Sequence, residues 1–178
     1  MSKTADKKIL PPLKGEPATL RQDEFRKLGE FLYYEGPLIS HFVNLRNEDF
    51  IMKWCGKDHQ FNRWLLYKTN YGLLHRFFEG EIGDMELVLQ NPDGHVFFID
   101  IDNDIHWKNT VKVEIANIPV QYLPTPTAFY GPGDFEPYGE NLRTYLHLHF
   151  GRLNTLYKLP EPPATLFAEP PPPEYRKQ

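Results

Sequence analysis

The 178-residue chain contains a single cysteine, Cys55. No intrachain disulfide can form, which excludes a disulfide-stapled secreted scaffold. Long apolar runs are also missing. Nothing approaches the ~18 consecutive apolar residues of a membrane-spanning helix. The opening MSKTADKKILPPLKGEP lacks the apolar core of a signal peptide. A basic cluster is missing: near the N-terminus Lys3, Lys7, Lys8 and Lys14 are few and dilute, and the formal net charge is −4. A nucleic-acid binder must neutralise phosphates with clustered Lys and Arg, so nonspecific nucleic-acid binding is disfavoured. Familiar catalytic elements are lacking too. There is no Gly-x-Ser-x-Gly elbow and no glycine-rich phosphate loop before a helix. GPGDFEPYGE (131–140) has glycines, but its acids repel phosphate. These absences predict a cytoplasmic protein with no cofactor and no membrane partner.

What the chain does have is aromatic residues, at 15%, and 17 prolines. Aromatics bury large areas and favour sheets. The prolines cluster at the two ends and in residues 119–137. The expected organisation is a flexible arm (1–17), one α+β domain (18–158) and a Pro-rich tail (159–178). The tail carries PPEY (172–175), which resembles a WW-domain ligand but arises readily by chance in Pro-rich sequence.

Periodicity gives the elements. Phe25, Leu28 and Leu32 recur at helical spacing, predicting a helix from near Thr19 to the breakers Gly36 and Pro37. Runs at 37–45, 50–55 and 61–69 read as an antiparallel meander. Asn70 fits a helix N-cap, and Leu73/Phe77 and Leu74/Phe78 share one helix face. Residues 84–90 are ambiguous between helix and strand. NPDG (91–94) is a turn leading to a strand pair at 95–101 and 110–116. The alternation in RTYLHLHFGR (143–152) predicts a last strand. The expected fold is α+β: a curved antiparallel sheet of about five to seven strands with two or three short helices on one side.

Several stretches occur together as in a known family. EFLYYEGPLISHF (30–42) resembles an opening of two aromatics, an acid, Gly, Pro and Leu. NRWLLYKTN (62–70), FFEGEI (77–82) and ANIPVQYLPTPTAFY (116–130) are similar, in order, to its later signatures. The family is one of small bacterial domains of unknown function, and the resemblance covers about residues 30–130. It implies a bacterial or phage-type cytoplasmic α+β domain and assigns no catalytic residue.

Candidate sites follow from residue type and spacing. Asp100, Asp102 and Asp104 alternate as at the start of an EF-hand loop. Such a loop needs Gly at its sixth position and Glu at its twelfth. Ile105 and Val111 stand there, so an EF-hand is excluded. A looser divalent-metal site is expected only if a last strand brings His147 and His149 to Asp100 and Asp102. The competing reading is a solvated sheet face, with Lys112 opposite Asp100 and an Asx-rich turn at 102–104. Ser40 and His41 are adjacent in a strand and cannot form a dyad. Cys55 lies in an aromatic-rich strand and reads as buried filler rather than nucleophile. Glu79, Glu81, Asp84 and Glu86 read as solvated acids at a helix end.

The loop at 119–142 carries Tyr122, Phe129, Tyr130, Phe135 and Tyr138. Loop aromatics either anchor a protein partner or fold back over the sheet. The reading that follows is a non-enzymatic protein-interaction module, of accessory, immunity or conflict-system type. A metal-dependent hydrolase or metal-binding protein is the alternative, and a homo-oligomer is a further possibility.

Overall fold

The computed structural model describes residues 9–33, 37–130, 134–135 and 144–150. Seven strands form one antiparallel sheet: β1 (Glu16–Pro17), β2 (Phe25–Tyr33), β3 (Pro37–Asn44), β4 (Asp49–Lys57), β5 (Phe61–Lys68), β6 (His95–Asp102) and β7 (Trp107–Glu114). Their order is β1-β7-β6-β5-β4-β3-β2. The strands from β2 to β5 run as a meander, and β6 and β7 continue it after a helical insertion. That insertion holds α1 (Tyr71–Phe78) and α2 (Asp84–Leu89). A third helix, α3, spans 144–150.

The meander follows from short polar turns between apolar runs. Asn44 shows how one turn closes. Its side-chain carbonyl accepts the N–H groups of Arg46 and Glu48 at 3.0 and 2.9 Å. Asn70 caps α1 by accepting the Leu73 N–H at 3.0 Å. Leu73, Leu74, Phe77 and Phe78 are the buried face of that helix, as their spacing predicts. Gly80 follows at φ 72°, a left-handed conformation that favours glycine at a helix end. The ambiguous stretch near residue 84 is helical as α2, its first turn closed by Glu86 accepting the Gly83 N–H at 3.0 Å.

Two expectations are corrected. The predicted helix after Thr19 is a strand: Phe25–Tyr33 pairs antiparallel with β3. Register shifts fall on either side of Leu28 and Phe31. Such bulges break the two-residue alternation, so the apolar spacing imitates a helix. The predicted last strand is a helix over 144–150. Tyr145, Leu146, His149 and Phe150 turn inward while Thr144, His147 and Leu148 are exposed. That three-and-four spacing is helical, and the Leu-His alternation concealed it.

The sheet has apolar side chains on both faces. One face carries Ile39, Ile51, Leu65, Tyr67, Val96 and Phe98 against Leu74, Phe77, Leu87 and Val88 of the helices. The other buries Phe50, Met52, Leu66 and Ile99. No described α-helix covers this second face. Instead residues 18–24 lead from β1, beside β7, to β2 at the other end of the strand order. Gln22 holds this crossing, donating to the Ile105 carbonyl at 2.9 Å and accepting the Trp107 N–H at 3.2 Å.

The described part of the N-terminal arm lies on the sheet. The Leu10 N–H donates to Asp58 at 3.0 Å, and Glu16 and Pro17 pair with Lys112 and Val111. A side chain at Gly15 would stand 2.5 Å from the Lys112 carbonyl oxygen, so glycine allows this close approach. Among the described residues, no helix is long and apolar enough to cross a membrane.

Candidate functional site

Strand alternation places charged groups on the helix-covered face, where they must find partners. In β5, Arg63 shares a face with Leu65 and Tyr67. Its guanidinium meets Asp100 of β6 in a two-point ion pair, Nε–Oδ1 2.7 Å and Nη2–Oδ2 2.9 Å. Both side chains are buried. Arg63 also donates to the Tyr122 hydroxyl at 2.6 Å and to the Pro11 carbonyl at 2.7 Å. One side chain therefore joins β5, β6, the loop after β7 and the N-terminal arm. Asp100 is occupied by Arg63, not by Lys112, whose register partner in β6 is Phe97.

In β3, His41 lies between Ile39 and Val43 on the same face. It is fully buried. Its Nε2 is 2.7 Å from Oδ1 of Asp49, and its Nδ1 is 2.7 Å from the Tyr145 hydroxyl. His149 brings its own Nε2 to the same Asp49 oxygen, also at 2.7 Å. The cluster thus joins β3, the start of β4 and α3. The Phe31 ring stacks on His41 at 5.4 Å between centroids. Burial pushes the His41 imidazole below its ordinary value, against the upward pull of Asp49. Burial acts to raise Asp49, but hydrogen bonds from His149 and His41 prevail and hold its carboxyl below its ordinary value.

The four residues predicted to share a metal are not brought together. Asp100 pairs with Arg63. Asp102 Oδ1 accepts the Asp104 and His106 N–H groups at 3.0 and 2.8 Å, the Asx turn expected there. His147 is exposed on α3, and His149 turns to Asp49. In the sequence His41 stands out only beside Ser40, and Asp49 not at all, although a histidine between two apolar residues of one strand face is a usable signal. Asp84 is not a solvated acid: it is buried and pairs with Lys53.

Of the loop aromatics, Tyr122 and Phe135 are core residues. Phe135 packs on Phe77 and Phe78 at 5.3 and 4.8 Å, and Tyr130 contacts Phe77 at 5.8 Å. Phe129 is exposed. Tyr138 lies outside the described residues. Cys55 is half-buried, and burial pushes its thiol up to about 12. A thiol so rarely ionised is a poor nucleophile.

Comparison with protein-family models, curated proteins and solved structures finds no match for this chain.

The second face of the sheet holds an open cavity of about 520 Å³. Phe25, Phe42, Met52, Trp64, Ile101 and Trp107 supply its apolar lining, and Lys27, Ser40, Asn62 and Asp102 its polar groups. Its rim includes Ile105, an exposed β-branched residue at φ 64°. That conformation costs a non-glycine residue ~1–2 kcal/mol. Strained residues of this kind concentrate at functional sites.

Proposed function

We propose that the protein is a non-enzymatic interaction module of the bacterial or phage cytosolic kind, in an accessory, immunity or conflict-system role. Its partner is a protein segment that inserts an apolar or aromatic side chain into the cavity on the face of the sheet opposite α1 and α2. The observation that carries this reading is the cavity itself, lined by Trp64, Trp107, Phe25 and Phe42 and rimmed by the strained, exposed Ile105. Its size suits one or two large side chains. Aromatic pockets with a polar rim are the usual anchoring points of protein interfaces.

The same face supports a single curved domain. Phe25 and Trp107 stand on β2 and β7, far apart in strand order, yet their rings lie 5.3 Å apart. Curling towards this face brings them together and makes the surface concave. The resemblance to bacterial domains of unknown function supports the cellular setting.

The test compares what the intact protein retains from extracts of its own cells with what three variants retain. Lys27→Glu and Ile105→Asp alter the cavity, whereas Leu89→Asp alters an exposed position on α2. A protein retained by wild type and Leu89→Asp but lost from both cavity variants supports the reading. Equal retention by all four proteins overturns it.

A further inference from the structure

We propose that His41, Asp49 and His149 bind one divalent transition-metal ion of the zinc class, which fastens α3 to the sheet. This site lies on the opposite face from the cavity and stands independently of the interaction reading.

Three elements converge on one point. Both imidazole Nε2 atoms sit 2.7 Å from the same Asp49 oxygen, and one donor from each residue lies within 4.8 Å of the others. Two imidazoles and a carboxylate suit zinc and its neighbours rather than calcium or magnesium. Donors around a tetrahedral ion with bonds of ~2.0–2.1 Å stand ~3.3 Å apart. The three side chains would need to part by roughly 0.6 Å, within reach of small side-chain rotations. Water can complete the coordination, because His149 retains some exposure.

The surroundings match a metal ligand set. Tyr145 holds its hydroxyl 2.7 Å from His41 Nδ1. Metal-bound histidines commonly donate their second N–H to such a partner, which fixes the ring and leaves Nε2 free to coordinate. Charge points the same way. Asp49 is buried, and its ionic partners among the described residues are the two histidines. Two imidazole hydrogen bonds hold the buried carboxylate, and a dication bound between the three side chains offsets its charge directly.

A metal-free arrangement is the alternative. Each histidine then carries a proton on Nε2 and donates it to Asp49, while Tyr145 donates to His41 Nδ1. The two states differ in proton positions, in one ion and in the roughly 0.6 Å by which the three side chains part.

The experiment loads the purified full-length chain with zinc, and separately with cobalt(II), then dialyses and measures metal content, the cobalt absorption spectrum and thermal melting. The proposal expects about one equivalent of metal, cobalt bands of imidazole-carboxylate ligation, and a melting point that falls on chelation. Asp49→Asn and His149→Gln should lose the metal, and Tyr145→Phe should bind it about 10-fold more weakly. His147→Gln, on the exposed side of α3, should bind as wild type. His149 is only partly buried, so its variant keeps the test open if Asp49→Asn does not fold. Absence of stoichiometric metal in the wild type overturns the proposal. So does metal retained by His149→Gln, or lost equally from His147→Gln.

Discussion

The Phe25 ring, near one end of the strand order, lies 5.3 Å from the Trp107 ring on β7, near the other end. Phe25 also meets Phe50 edge-on at 5.3 Å. One side chain thus links β2, β4 and β7 across the face opposite α1 and α2. Phe25→Ala is expected to cost about 2 kcal/mol, less than the ~3–5 of a fully buried phenylalanine because this ring is half-buried. Urea unfolding monitored by tryptophan fluorescence measures it. A loss below about 0.5 kcal/mol, the range of ordinary surface changes, would mean the contact does not hold the face together.

Arg63 and Asp100 form a buried two-point ion pair. Breaking it from one side leaves an uncompensated charge, so Asp100→Ala should cost about 3–5 kcal/mol. Replacing both partners with apolar residues, Arg63→Met with Asp100→Leu, should cost much less than the sum of the single changes. Additive losses in equilibrium unfolding would contradict the pairing.

Burial pushes the Cys55 thiol up to about 12, and the thiol donates to the Arg63 carbonyl at 3.3 Å. The reactive thiolate forms only as pH rises through that value. Alkylation of the native protein should therefore be slow and rise steadily with pH beyond the ~8.5 at which a free cysteine levels off. In denaturant the rate should level off near that ordinary value. A native rate that saturates by pH 9 would contradict the burial.

Ile105 holds a left-handed backbone on the cavity rim. Glycine adopts this conformation without the ~1–2 kcal/mol penalty. Ile105→Gly should raise the melting temperature despite removing an exposed apolar side chain. An unchanged or lower melting temperature would show that the isoleucine contributes packing worth as much as its strain.

The sequence reveals its structure where periodicity and local chemistry agree. Asn70, Leu73 and Phe77 mark α1, and the runs of β3 to β7 stand out between polar turns. It misleads where a bulge or a chance alternation counterfeits the other period. Leu28 and Phe31 sit at register shifts in β2, so that strand reads as a helix. Leu146, His147, Leu148 and His149 alternate, yet of these four α3 turns inward only Leu146 and His149, alongside Tyr145 and Phe150. The site was lost with α3, because His149 reaches Asp49 only from a helix. Arg63 and His41 each occupy an inward position of their strand. Their partners lie 37 and 8 residues away, distances that strand pairing sets and local pattern does not.

The most direct test of the interaction reading is site-specific photocrosslinking in the cells that make the protein. A photoreactive residue at position 105 reports on the cavity rim, and one at Leu89 on the helical side. The account predicts a discrete protein adduct from position 105, absent from position 89, with the crosslinked peptide presenting an apolar or aromatic residue. No adduct at position 105, or the same adducts from both positions, would contradict it.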